Sequence, residues 1–131
     1  MNFNKLIPEL SVSNLNTSLE FYVGIVGFKI EYERAHDKFA FLSLDSAQLM
    51  LEEDNGNWET GDLTPPRGRG INFQIEVADL KPMLDRIRNQ GISLFREPEL
   101  KCRRVAREEC REIEFLVQDP DGYLLRFSES K

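Results

Sequence analysis

Histidine is almost missing from this chain. His36 is the only one among 131 residues, and Trp58 is the only tryptophan. Imidazole chemistry is therefore confined to one position, and His36 falls beside Asp37 in an expected hairpin turn, where a solvated ring is the ordinary outcome. Cysteine is also scarce. Cys102 and Cys110 have no histidine near them, and their spacing matches no zinc site. Both read as buried small apolar residues in a reducing compartment, so the expected location is the cytoplasm. No apolar run approaches the roughly 18 residues of a membrane span. The start, MNFNKLIPEL, lacks the basic flank and apolar stretch of a signal peptide. Positive charge is in deficit as well: 17 Lys and Arg stand against 23 Asp and Glu, a net charge of -6. That argues against nucleic acid as a partner and suits a neutral or cationic small ligand. What remains is an ordinary globular composition, 40% hydrophobic and 31% charged, of a length that fits one domain.

The chain repeats itself. Val12-Ser13-Asn14-Leu15 is echoed by Val77-Ala78-Asp79-Leu80, and Gly27-Phe28 by Gly91-Ile92. Each echo reads as strand, helix cap, helix, glycine stop, strand. Asn14 and Asp79 suit an N-cap, and Gly27 and Gly91 suit a left-handed stop. Leu15, Leu19, Tyr22, Val23 and Val26 follow helical spacing, as do Leu80, Met83, Leu84 and Ile87. Strands are expected over 28–34, 38–44 and 47–53 in the first half. In the second they are expected over 92–96, 113–118 and 123–128, with a charged stretch between 96 and 113 and a strong turn at Asp119-Pro120-Asp121-Gly122. The reading is one domain of two β-α-β-β-β modules, about 1–60 and 69–131, joined by a polar connector.

Alternation assigns faces to the strands. In the run Ile71 to Val77 the odd positions are apolar and the even ones polar. One face therefore packs on the helices. The other carries Glu9, Ser11, Gln48, Glu52, Asn72, Gln74, Glu76 and Arg126, as either a groove lining or a solvated outer face.

Several runs in order resemble one known family. They are Ile7-Pro8-Glu9-Leu10-Ser11-Val12, Leu19-Glu20-Phe21-Tyr22, Ala47 to Glu53, Gly70 to Val77, and Phe115 to Phe127 around the Asp-Pro-Asp-Gly turn. Together they are similar to the vicinal oxygen chelate superfamily, and within it to the bleomycin resistance and glyoxalase-like group. The resemblance implies an α+β fold, two β-α-β-β-β modules forming a curved mixed sheet around a groove. Enzymes of that superfamily hold a divalent metal with four inward side chains, and the motifs place those positions at Ile7, Met50, Asn72 and Arg126. Of these only Asn72 offers a donor suited to a hard divalent ion, so neither a metal nor a cofactor is expected.

Bleomycin resistance proteins likewise lack the metal ligands and sequester a cationic drug in a dimer groove. The resemblance therefore implies a non-catalytic binding protein, dimeric and cytoplasmic, with Phe39 as the stacking ring. Phe41, Trp58, Glu9, Met50, Glu52, Asn72, Gln74, Glu76 and Arg126 complete the expected ligand-binding set. The aromatic residues that many members carry in the second module are absent, since Cys102, Arg103 and Arg111 stand at those places. The alternative is a metal-dependent glyoxalase-like lyase or ring-cleavage dioxygenase with atypical ligands.

Overall fold

Alternating apolar residues and two tight turns direct the first half of the chain into a four-stranded sheet. The computed structural model describes residues 1–131, in two units, Met1–Pro65 and Pro66–Lys131. In the first, β1 (Glu9–Val12), β2 (Lys29–Arg34), β3 (Phe39–Leu44) and β4 (Ala47–Glu53) are ordered β1-β4-β3-β2. The pair β1–β4 is parallel and the others antiparallel. Leu10, Val12, Ala40, Leu42, Leu49 and Leu51 are buried, as are Phe21, Tyr22 and Val26 of the helix that follows β1.

That helix departs from expectation. It starts as α1 (Leu15–Leu19), capped by Asn14 Oδ1 accepting from the Thr17 N–H at 2.9 Å. It then continues as a π-helix over Glu20–Val26 and stops at Gly27, φ 107°. The i→i+5 pitch sets Phe21 and Val26 on one buried side with Tyr22, where the rings of Phe21, Tyr22 and Phe28 meet edge to face.

The second unit repeats the plan with β5 (Asn72–Glu76), α2 (Lys81–Asn89), β6 (Arg96–Val105), β7 (Glu108–Gln118) and β8 (Leu124–Ser130), ordered β5-β8-β7-β6. Ile75, Val77, Met83, Ile87, Phe115, Val117, Leu125 and Phe127 form its core. The register carries the duplication. Glu9 lies beside Met50 in one parallel pair, and Gln74 beside Arg126 in the other. A second repeated feature was invisible in the sequence. The Leu15 N–H donates to Glu53 Oε1 at 3.0 Å, and the Leu80 N–H donates to Glu129 Oε1 at 2.8 Å. Each helix start is thus satisfied by a carboxylate from the last strand of its own unit. Asp79, expected as the cap, lies just before the helix and accepts from the Lys81 N–H.

The units differ most in their hairpins. Four residues separate the paired Arg34 and Phe39, whereas fourteen separate the paired Glu99 and Glu114. The charged stretch between 96 and 113 is an antiparallel arm that turns through Ala106 at φ 57°. Opposite charges stand directly across it, Lys101 beside Glu112 and Arg104 beside Glu109, and these pairs favour a ladder over a loop. Cys102 and Cys110 lie on this arm and are exposed free thiols, because the arm extends beyond the sheet's apolar layer instead of packing within it.

At the far end of β7 the Asp-Pro-Asp-Gly turn is fixed from inside. Asp119 Oδ1 accepts from the N–H groups of Asp121 and Tyr123, both at 2.9 Å. Gly122, φ 98°, lies so close to Pro66 that a Cβ there would stand 2.5 Å from the proline Cα. The arrangement sets the start of β8, the strand that carries Arg126.

Candidate functional site

The polar face of each sheet can be followed residue by residue through the strand register. In the first unit Glu9, Met50, Phe41 and Tyr32 are successive neighbours across the strands, as are Ser11, Glu52, Phe39 and Arg34. Phe39 and Phe41 are on the face expected of them but are buried, at 1% exposure each. Tyr32 stacks on Phe41 at 5.2 Å between ring centroids, Phe3 meets Phe41 edge-on at 5.4 Å, and the Arg34 guanidinium sits 3.9 Å over Phe39. The ring faces proposed for a ligand are thus engaged within the chain. Phe3 belongs to an N-terminal segment held by Asn4 and Gln48, with the Asn4 N–H donating to Gln48 Oε1 at 2.8 Å.

Glu9 and Glu52 are neighbours on this face. Partial burial, then repulsion from Glu52, raises the Glu9 pKa, and Arg34 opposes the shift. Trp58 is exposed in the connector.

The first unit has a cavity of about 430 Å³ at its helix start, lined by residues that include Asn14, Lys38 and Glu53, and one of the same size belongs to the second unit. The latter lies on the polar face and is lined by Gln74, Glu76, Arg103, Val105, Cys110, Glu112, Arg126, Ser128 and Ser130. Beneath it lies Glu114, its side chain 4% exposed. Arg103 Nη2 donates to Glu114 Oε1 at 3.1 Å, and its Nη1 donates to Glu112 Oε1. Arg126 Nη2 donates to Gln74 Oε1 at 2.5 Å. Arg126 Nε and Glu114 Oε2 lie 3.8 Å apart, each buried and without a hydrogen bond. The hydrogen bond to Glu114 raises the pKa of Arg103 further, keeping it charged. Ser130 Oγ donates to Glu76 Oε1.

Gln74, Glu76 and Arg126 of the expected set therefore share one cavity, while Asn72 lies exposed at the start of β5. Arg103, Glu112 and Glu114 lie outside the ligand-binding set expected from the sequence. Their place depends on the register of the arm, and only the alternation of charge along 99–114 hinted at it.

The four positions that the resemblance implies for a metal do not suit one. Ile7 has no donor atom, Met50 offers only a thioether, and Arg126 is a cation already bonded to Gln74. No group of three or more His, Cys, Asp or Glu residues comes together that could hold a metal ion. The donor set does not fit a divalent ion.

Comparison with known proteins places these observations. Residues 6–127 match the family model described as "Glyoxalase/Bleomycin resistance protein/Dioxygenase superfamily". A lactoylglutathione lyase of Neisseria meningitidis is 28% identical over 127 residues, 93% of this chain and 87% of the relative. A probable lactoylglutathione lyase of Vibrio cholerae is 28% identical over 135 residues, 99% of this chain and 93% of the relative. A crystal structure of a Salmonella typhimurium virulence protein shares the fold with a TM-score of 0.69 at 21% identity, covering 98% of each chain. These relatives correct the expectation of a non-catalytic bleomycin-type binding protein, because the curated proteins that align along the whole chain are named as lyases. The physical reason is that unfilled metal positions exclude only metal-borne chemistry and leave open what guanidinium and carboxylate side chains do by themselves.

Proposed function

Since the chain belongs to the Glyoxalase/Bleomycin resistance protein/Dioxygenase superfamily, we propose that it is a glyoxalase-type lyase acting on a small carbonyl or thioester substrate. The observation that supports this reading is the whole-chain alignment with relatives named lactoylglutathione lyase. Chemistry of this type moves a proton on a carbon next to a carbonyl, and negative charge gathers on oxygen as it does so. In the second unit Arg126 presents a guanidinium to that oxygen and is steered by Gln74 and the buried Glu114. Glu76, held by Ser130, is the carboxylate on the same wall that accepts the proton. The donor set does not fit a metal, so both roles fall to the chain's own side chains. The proposal includes a homodimer. Each sheet keeps two edge strands, β1 and β2 in one and β5 and β6 in the other, and such edges invite pairing.

The test is a lactoylglutathione lyase assay that follows the thioester absorbance, before and after dialysis against a chelator, with Arg126→Met alongside. Turnover should survive the chelator and fall about 10²-fold or more in the variant. No turnover above the uncatalysed rate, or an unaffected variant, would refute the reading. Sedimentation at micromolar concentration should give twice the 15.2 kDa chain mass.

A further inference from the structure

The first unit closes its outer hairpin with a short turn, whereas the second builds a long arm at the same place in its sheet. The arm contributes Arg103, Val105, Cys110 and Glu112 to the wall of the 430 Å³ cavity. We propose that Arg103 and Arg126 form a two-guanidinium subsite for a carboxylate on the substrate, and that the arm exists to place Arg103 there. This deepens the lyase reading and rests on it for the identity of the reaction, though not for binding itself.

The geometry supports a subsite on three counts. Both arginines converge on one buried anchor: Arg103 Nη2 is 3.1 Å from one Glu114 oxygen, and Arg126 Nε is 3.8 Å from the other. The two guanidiniums are therefore held close together despite their repulsion, an arrangement that a salt bridge for stability alone does not need. Their donors are also far from exhausted. A guanidinium has five N–H groups. Arg103 uses one nitrogen each on Glu112 and Glu114, and Arg126 uses Nη2 on Gln74. Finally, the anchoring carboxylates lie deeper than the cations. Glu114 and Glu112 keep 4% and 19% of their side-chain exposure, against 42% for Arg103 and 27% for Arg126. A ligand entering the cavity thus meets guanidinium donors with Glu114 behind them and Glu112 beside Arg103 on the wall. A planar anion that accepts from two N–H groups at once is the group such donors match. Glu76, on β5 beside the strand that carries Arg126, repels a second anionic group, so the fitted substrate is a monocarboxylate at this end.

The corresponding place in the first unit shows the specificity of the device. Phe39 pairs with Glu52 as Glu114 pairs with Ser128, and Met50 stands where Arg126 does. One unit therefore has an aromatic floor where its duplicate has an ionic one.

The experiment titrates the full-length protein with propionate and, separately, with propionamide, which has the same shape without the charge. Side-chain Arg Nε–H resonances are followed by NMR at low and at high salt. Propionate should shift the Arg103 and Arg126 signals and bind at least about tenfold more tightly than propionamide, with the difference narrowing as salt rises. Arg103→Met should abolish the preference. Arg103→Lys keeps the charge beside Glu114 and so guards against loss of folding; it should lower propionate affinity severalfold by removing the planar fork. Equal binding of the two probes, or unchanged propionate affinity in Arg103→Lys, overturns the subsite. Propionate preference without lyase turnover refutes the reaction but leaves the subsite standing, and turnover without the preference does the reverse.

Discussion

Replacing Glu114 with glutamine tests whether one buried carboxylate holds the second unit's polar face together. The amide keeps the shape. If its oxygen stays on Arg103 Nη2, its NH2 group must point at Arg126 Nε, donor against donor, where Oε2 now stands 3.8 Å away. Truncating one partner of a fully buried ion pair costs about 3–5 kcal/mol. Here the carboxylate is 4% exposed, but Arg103 and Arg126 keep 42% and 27% of their side-chain exposure. Water recovers part of the lost interaction, and the expected loss is about 2 kcal/mol. For a chain of this length that lowers the melting temperature by about 8 °C. Glu112→Gln is the contrast. Glu112 is less deeply buried and meets only Arg103 of the two arginines, so its loss should stay within about 1 kcal/mol. Far-UV circular dichroism in urea is the suitable assay, since Trp58 is 60% exposed and a poor fluorescence reporter. A Glu114→Gln protein as stable as its parent, or equal losses in the two variants, would refute the idea of a shared anchor.

Three further outcomes are expected. Gly122→Ala forces a side chain into a φ of 98° and sets its Cβ 2.5 Å from the Pro66 Cα, whereas Gly70→Ala, φ 86°, meets nothing within 4 Å. The first should lose about 3 kcal/mol in thermal melts and the second about 1 kcal/mol, and similar losses would contradict the close approach at Pro66. Glu53 has a folded pKa lowered by the Leu15 N–H and then Lys38, and Glu129 one lowered by Lys131 and then the Leu80 N–H. Their stabilisation is complete above the unfolded value of about 4.3 and is lost as pH falls through the lower folded values. The gap in urea midpoint between parent and Glu53→Gln should therefore close below about pH 4, and a gap independent of pH would contradict the capping role. Both thiols are exposed on the arm, so a chromogenic disulfide reagent should titrate two per chain without denaturant, and fewer would mean the arm is covered.

The repeat, the order of elements and the apolar face were legible because they rest on local rules. Asn14 caps the helix next to it, Gly27 stops it, and Leu10, Val12, Ile75 and Val77 point inward by strand alternation alone. Family membership was legible for the same reason, through short motifs kept in order. Tertiary structure decided what depended on partners distant in sequence. The Glu53 and Glu129 carboxylates reach helix starts 38 and 49 residues away, and no local spacing marks them. The rings of Phe39 and Phe41 lie on the anticipated face, but Tyr32, Arg34 and Phe3 engage them. The arm had no apolar alternation to announce it. Its ladder is favoured by charges paired across strands, and only that register brings Arg103 to Glu114, turning what reads as a solvated charge run into one wall of a site.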